Sequence, residues 1–127
     1  MLLRSPLGQA RGLGASKDGV GHWWMQRVTA VALVPLTLWF VFAVATHQLV
    51  GHEAIVAWLG NPFVAVALLL YFGALFYHSM LGVQEVVEDY VGNRFAKTAV
   101  LVLVNFAHVL VGVAAVFAVL KIAFGGV

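Results

Sequence analysis

Cysteine is absent from the chain. Disulfides, thiolate catalysis and iron–sulfur ligation by this chain are thereby excluded. Charge is scarce too: Asp, Glu, Lys and Arg make up 9% of the residues, where a soluble domain carries about 25%. Seven basic against five acidic residues leave a formal charge of +2. The pI near 9.3 therefore rests on few groups and bears on membrane orientation more than on polyanions. Basic residues are not interleaved with aromatics, so no nucleic-acid surface is expected. No repeat and no low-complexity tract is present.

A secretory signal is missing as well. Arg4, Arg11 and Lys17 lie in the first twenty residues, but Gly and Ser break up the segment and no apolar core follows. Residues 1–26 read as a polar segment, flexible at its start. Basic and free of acidic residues until Asp18, it is also compatible with a transit peptide.

What the chain has in abundance is apolar surface: 63% of its residues are hydrophobic. The composition points to an integral membrane protein of one domain, residues 1–127. Three runs are long enough to span a bilayer, at about 28–46, 62–83 and 98–120. A span needs roughly 20 residues at about 1.5 Å rise each. Backbone polar groups in hydrocarbon must be satisfied internally, so each run is expected to be a helix. The fold class is an all-α membrane protein with three transmembrane helices. Pro35 should kink the first, Pro62 should sit in the first turn of the second, and Gly92-Asn93 should turn the chain into the third.

The basic residues orient the bundle. Arg4, Arg11, Lys17 and Arg27 precede or open the first span, and Arg94 and Lys97 lie between the second and third. None lies in the first loop, about 47–60, and Lys121 stands alone at the far end. The positive-inside rule puts the N-terminus and second loop in the cytoplasm or matrix, and the first loop and C-terminus opposite. Trp23, Trp24 and Trp58 fit interfacial belts.

One residue stands out. His78 lies in Leu68-Leu-Leu-Tyr-Phe-Gly-Ala-Leu-Phe-Tyr-His78-Ser-Met-Leu-Gly82, at a depth where every ionisable side chain needs a partner. An imidazole there can bond a neighbouring helix, or ligate a metal or haem iron. From His78 a stripe runs through Gly82, Glu85 and Asp89 in steps of four, three and four, on one helix face. Tyr90 follows, with Asp89 roughly 16 Å along the helix from His78. Glu85, Glu88 and Asp89 can also be read as a solvated helix end, Tyr90 as an interfacial tyrosine and Arg27 as a basic anchor.

The other histidines are weaker candidates. His47 and His52 fall in the outer loop and His22 in the polar segment. His108, with Asn105 on the third helix, is the rival. It lies roughly 16 Å below Lys97, whereas His78 lies roughly 10 Å below Glu85. That offset argues against both gripping one haem, so His108 is expected to bond or pack within the bundle.

Two segments carry a family resemblance: Gln26-Arg27-Val28-Thr29-Ala30, and the pattern H-x3-G-x6-D-Y formed by His78, Gly82, Asp89 and Tyr90. With three helices and this length, the chain from about residue 20 onward resembles the D-type hydrophobic anchor of succinate dehydrogenase, respiratory complex II. The resemblance implies that His78 is an axial ligand of haem b, with the second ligand on the partner cytochrome b anchor. It implies that Tyr90 bonds a ubiquinone carbonyl, that Asp89 organises that site or its proton supply, and that Arg27 lies near the haem propionates or the quinone pocket.

A quinone ring needs a few aimed donors such as a phenol, and its reduction takes up two protons that a carboxylate can relay. Gly82 should give a haem room, and the carbonyl of Ala74 is the expected partner of the second ring nitrogen of His78. Iron–sulfur and flavoprotein subunits are the implied partners, and succinate oxidation would occur on them. The implied location is the bacterial inner membrane, or alternatively the mitochondrial one. Two other readings stand beside this one: an anchor of quinol:fumarate reductase, and a small structural or assembly membrane protein without redox cofactor.

Overall fold

The computed structural model describes residues 6–7 and 17–125, with side chains from residue 20 onward in the longer segment. Arg4, Arg11 and any leader role of their segment lie outside these residues. Within the described segment 17–125 four helices follow in order: α1 (Lys17–Thr46), α2 (His52–Leu59), α3 (Pro62–Tyr90) and α4 (Arg94–Gly125). Three are long and apolar enough to cross a membrane, over Val20–Thr46, Pro62–Tyr90 and Arg94–Gly125. The expected all-α, three-span architecture is thus present.

The helices overrun the expected spans at both kinds of end. Apolar length marks only the part of a helix that lies in hydrocarbon, about 30 Å thick. Once a span has nucleated the helix, polar flanks propagate it at little cost. Residues 17–26, expected to be part of a polar tail, are the first turns of α1. Likewise α3 continues from Val83 through Glu85 and Asp89 to Tyr90. Pro35 does not break α1.

The first loop also differs from expectation. Residues 52–59 form the short helix α2, entered through Gly51 at φ 91° and closed at Gly60. That positive φ suits a residue without Cβ. Glu53 in the first turn complements the helix dipole. Leu59 is buried at its end, and the helix packs on α3 and α4.

Side-chain caps start the other two helices. Asn61 Oδ1 accepts from Phe63 N at 3.0 Å, with Pro62 in the first turn as expected. Asn93 Oδ1 accepts from Phe95 N at 2.9 Å and Ala96 N at 3.2 Å, ending the short connection after α3. These caps satisfy backbone donors that would otherwise be orphaned.

α3 is the central helix. It packs against α1 on one side and α4 on the other, and no Cα of α1 comes within 8 Å of one of α4. Leu59, Ala65, Leu68 and Val119 form a buried cluster at the α2 end, edged by Trp39, Trp58 and Phe72. Trp39 stacks on Trp58 with centroids 6.0 Å apart, and Phe40 on Tyr71 at 5.1 Å. Elsewhere the surface is strongly apolar. Val102, Leu103, Phe106, Leu110 and Phe117 of α4 are all exposed. Such a face suits lipid or another membrane helix.

Candidate functional site at the junction of α1 and α3

α1 and α3 run antiparallel, and three rungs fix their register. His22 Nδ1 lies 3.5 Å from Glu85 Oε1. A Cβ built at Gly82 would touch Gln26 Nε2 at 3.7 Å. Thr29 Oγ1 lies 2.9 Å from His78 Nδ1. His22, Gln26 and Thr29 are separated by four and three residues, and so are His78, Gly82 and Glu85. Each set therefore lies along one helix face, and the two faces meet.

The innermost rung is the most constrained. Thr29 is 6% exposed. Its Oγ1 lies 2.6 Å from the carbonyl oxygen of Met25 and 3.1 Å from that of Gln26. Back-bonding of this kind is a common way for threonine to satisfy itself within a helix. The expected partner of His78, the carbonyl of Ala74, does not fill that role. Nδ1 instead meets the Thr29 hydroxyl of α1, which has acceptor capacity to spare. The remaining ring nitrogen, Nε2, has no hydrogen-bond partner among the described residues. Gln26 Oε1, which is buried, has no partner among the described residues either.

His108 lies elsewhere. Its Nδ1 donates to the carbonyl of Val104 at 2.8 Å, which leaves Nε2 to accept from Ser79 Oγ at 3.1 Å. One turn away, Gln84 Nε2 donates to Asn105 Oδ1 at 2.6 Å. Both nitrogens of His108 are therefore occupied between α3 and α4, as expected of a residue that bonds within the bundle.

The two histidines do not differ in depth as expected. Ser79 pairs with His108, so His108 lies nearly level with His78. Lys97 is level with the end of α3, not with Glu85, because α3 extends to Tyr90. Facing separates the two histidines, not depth: His78 turns to α1, while the neighbouring Ser79 turns to α4.

Other candidate residues stand apart from this junction. The Arg27 guanidinium lies over the Trp23 ring, 4.6 Å from its centroid. It is two residues from Thr29, about 200° around the helix, and so points away from His78. Asp89 and Tyr90 end α3, roughly 16–18 Å along the axis from His78. Tyr90 is 84% exposed, open to whatever packs against this end. Among the described residues no three His, Asp or Glu side chains converge as a metal site would require. The chemistry of His78 does fit a single axial ligand, with one ring nitrogen held and the other unpartnered.

Glu85 belongs to the expected stripe and Gln26 and Thr29 to the segment that carries the resemblance, but their pairing across the two helices, with His22 against Glu85, is not among the expectations. The four-three spacing in both segments was the available signal.

Comparison with known proteins agrees with these features. The family model described as succinate dehydrogenase/fumarate reductase transmembrane subunit matches residues 1–120. A succinate dehydrogenase hydrophobic membrane anchor subunit from Rickettsia bellii is 31% identical over 116 residues, covering 91% of this chain and 93% of its own. The protein of the same name from Paracoccus denitrificans is 31% identical over 123 residues, covering 97% and 95%. A succinate dehydrogenase membrane anchor subunit from Reclinomonas americana is 27% identical over 95 residues, covering 71% and 78%. No solved structure matches the chain significantly. Three apolar helices and a match along nearly the whole sequence lead to one conclusion: the chain belongs to the succinate dehydrogenase/fumarate reductase transmembrane subunit family.

Proposed function

We propose that this chain is the hydrophobic anchor of a succinate:ubiquinone oxidoreductase, that it holds haem b through His78, and that it contributes Tyr90 and Asp89 to a ubiquinone site. The observation that carries the reading is the state of His78. Its Nδ1 is engaged by Thr29 at 2.9 Å, while Nε2 is unpartnered within an apolar span. Such an imidazole is costly to keep in a membrane unless it binds something.

When bound, the haem would supply a one-electron carrier. The chain's own residues do the rest. His78 would hold the iron through Nε2, whereas both nitrogens of His108 are bonded; the resemblance assigns the other ligand to the partner anchor subunit. Tyr90 presents its hydroxyl to a quinone carbonyl at the end of α3. Asp89 beside it takes part in proton supply. Arg27, exposed and braced on Trp23, offers a cation to a haem propionate or to the quinone pocket. The apolar outer faces of α1 and α4 meet lipid and the partner anchor. Iron–sulfur and flavoprotein subunits dock on the end bearing Tyr90, and succinate is oxidised there, away from this chain.

The distribution of Arg27, Arg94 and Lys97 supports an arrangement with that end in the cytoplasm and α2 on the periplasmic side of a bacterial inner membrane. In a mitochondrion the corresponding end faces the matrix. The relatives' names favour the succinate-oxidising direction over fumarate reduction.

The test is the visible spectrum of the purified complex with His78→Ala. Loss of the haem bands from an assembled complex supports the ligand role, and unchanged bands overturn it.

A further inference from the structure

We propose that Thr29 is the positioning residue for the His78 ligand, fixing both its tautomer and its ring orientation; this rests on the reading of His78 as a haem ligand. Proton count decides the tautomer. The Thr29 hydroxyl carries one proton and meets three polar atoms: the carbonyl oxygens of Met25 at 2.6 Å and Gln26 at 3.1 Å, and His78 Nδ1 at 2.9 Å. Carbonyl oxygens only accept. Two oxygens 2.6 Å apart with no proton between them repel, so the hydroxyl proton goes to Met25. Thr29 Oγ1 is then an acceptor toward the imidazole, and the proton at the 2.9 Å contact belongs to His78 Nδ1. A neutral imidazole with its proton on Nδ1 has its lone pair on Nε2. That nitrogen is the one with no partner among the described residues.

Three consequences follow for the ligand. The tautomer suited to metal binding is preset. The ring is pinned against rotation about χ2, because Thr29 is buried and tied to its own helix. The Nδ1–H bond also raises the donor strength of Nε2. A hydroxyl that already donates to a carbonyl is a stronger acceptor than a free one, since linked hydrogen bonds polarise each other. This arrangement crosses from α1 to α3, so the ligand's chemistry depends on how the two helices pair. Gln26 and Gly82 form the adjacent rung of that pairing, one turn away.

The test compares Thr29→Val, which keeps the shape and removes the hydroxyl, with Thr29→Ser, which keeps the hydroxyl, in the assembled detergent-solubilised complex. Two readouts do not depend on turnover: transfer of haem to a soluble haem-acceptor protein, and the midpoint potential of the haem. Loss of an outer partner of a metal-bound histidine typically weakens binding by roughly 10- to 100-fold. Thr29→Val is expected to lose haem to the acceptor faster by that order. Its potential should move upward, because a weaker donor stabilises the ferric state less; each tenfold change in relative affinity corresponds to about 59 mV for one electron. Thr29→Ser should restore both values.

If Thr29→Val does not assemble, Thr29→Ala against Thr29→Ser makes the same comparison. A hydroxyl-free variant with wild-type haem retention and potential overturns the assignment of Thr29, while haem loss in His78→Ala leaves the ligand reading standing. Haem retained in His78→Ala overturns both.

Discussion

Glu85 Oε1 stands 3.5 Å from His22 Nδ1, and this pair is the outermost rung of the ladder that ends at Thr29 and His78. Both side chains are partly solvated, at 32% and 51% exposure. Their attraction is screened by water and requires a protonated imidazole, so it contributes little to stability, about 0–1 kcal/mol. His22→Ala and Glu85→Gln should each leave the thermal midpoint of the complex within a few degrees of wild type. A large drop in either would show that the pair is held by something beyond α1 and α3.

His108 and Ser79 provide a control for the haem assignment. Removing the Ser79 hydroxyl leaves His108 Nε2 without its partner. Interhelical hydrogen bonds in membranes average about 0.6 kcal/mol, up to roughly 1.7. Ser79→Ala and His108→Ala should therefore lower thermal stability modestly and leave the haem spectrum intact. Loss of the haem bands in assembled His108→Ala would contradict the division of labour between the two histidines.

At the other end of the stripe, Tyr90→Phe removes one donor without changing shape. A neutral hydrogen bond is worth about 0.5–1.5 kcal/mol, so the quinone KM should rise roughly 2- to 12-fold. Succinate oxidation with a soluble dye as acceptor should persist. Asp89→Asn should slow quinone reduction under the same assay. Equal loss of both activities in either variant would point to failed assembly or docking instead of a quinone role.

Gly82 gives a more local expectation. An added Cβ would meet only Gln26 Nε2, at an ordinary contact distance of 3.7 Å. Gly82→Ala should assemble and keep its stability, since Ala is preferred to Gly in a helix by roughly 0.5–1 kcal/mol. Haem loss from an assembled Gly82→Ala complex would show that the haem itself approaches Gly82, the room expected from its missing side chain.

The three spans were legible because hydrocarbon imposes a minimum apolar length, and runs such as Val28–Thr46 meet it openly. Helix ends were not legible by that criterion, because Glu85, Asp89 and the residues around Trp23 are polar or interfacial yet remain helical. Helix α2 carries no span signal, since it has only eight residues between Gly51 and Gly60. His78 was legible as a residue that needs a partner. Its partner was not, since Thr29 lies forty-nine residues away and the pairing depends on helix register. The matching steps of four and three in His22-Gln26-Thr29 and His78-Gly82-Glu85 contained that register. Reading it required knowing that α1 and α3 are neighbours. The depth comparison of His78 with His108 failed for a related reason: it took Glu85 as the end of a helix that continues to Tyr90.

The central claim is that His78 ligates haem b through Nε2. It is tested most directly by the reduced-minus-oxidised spectrum of the purified complex carrying His78→Ala, normalised to flavin content. The account predicts an assembled complex whose haem bands are lost or shifted to those of a haem lacking one axial ligand. Bands of wild-type position and intensity would contradict it.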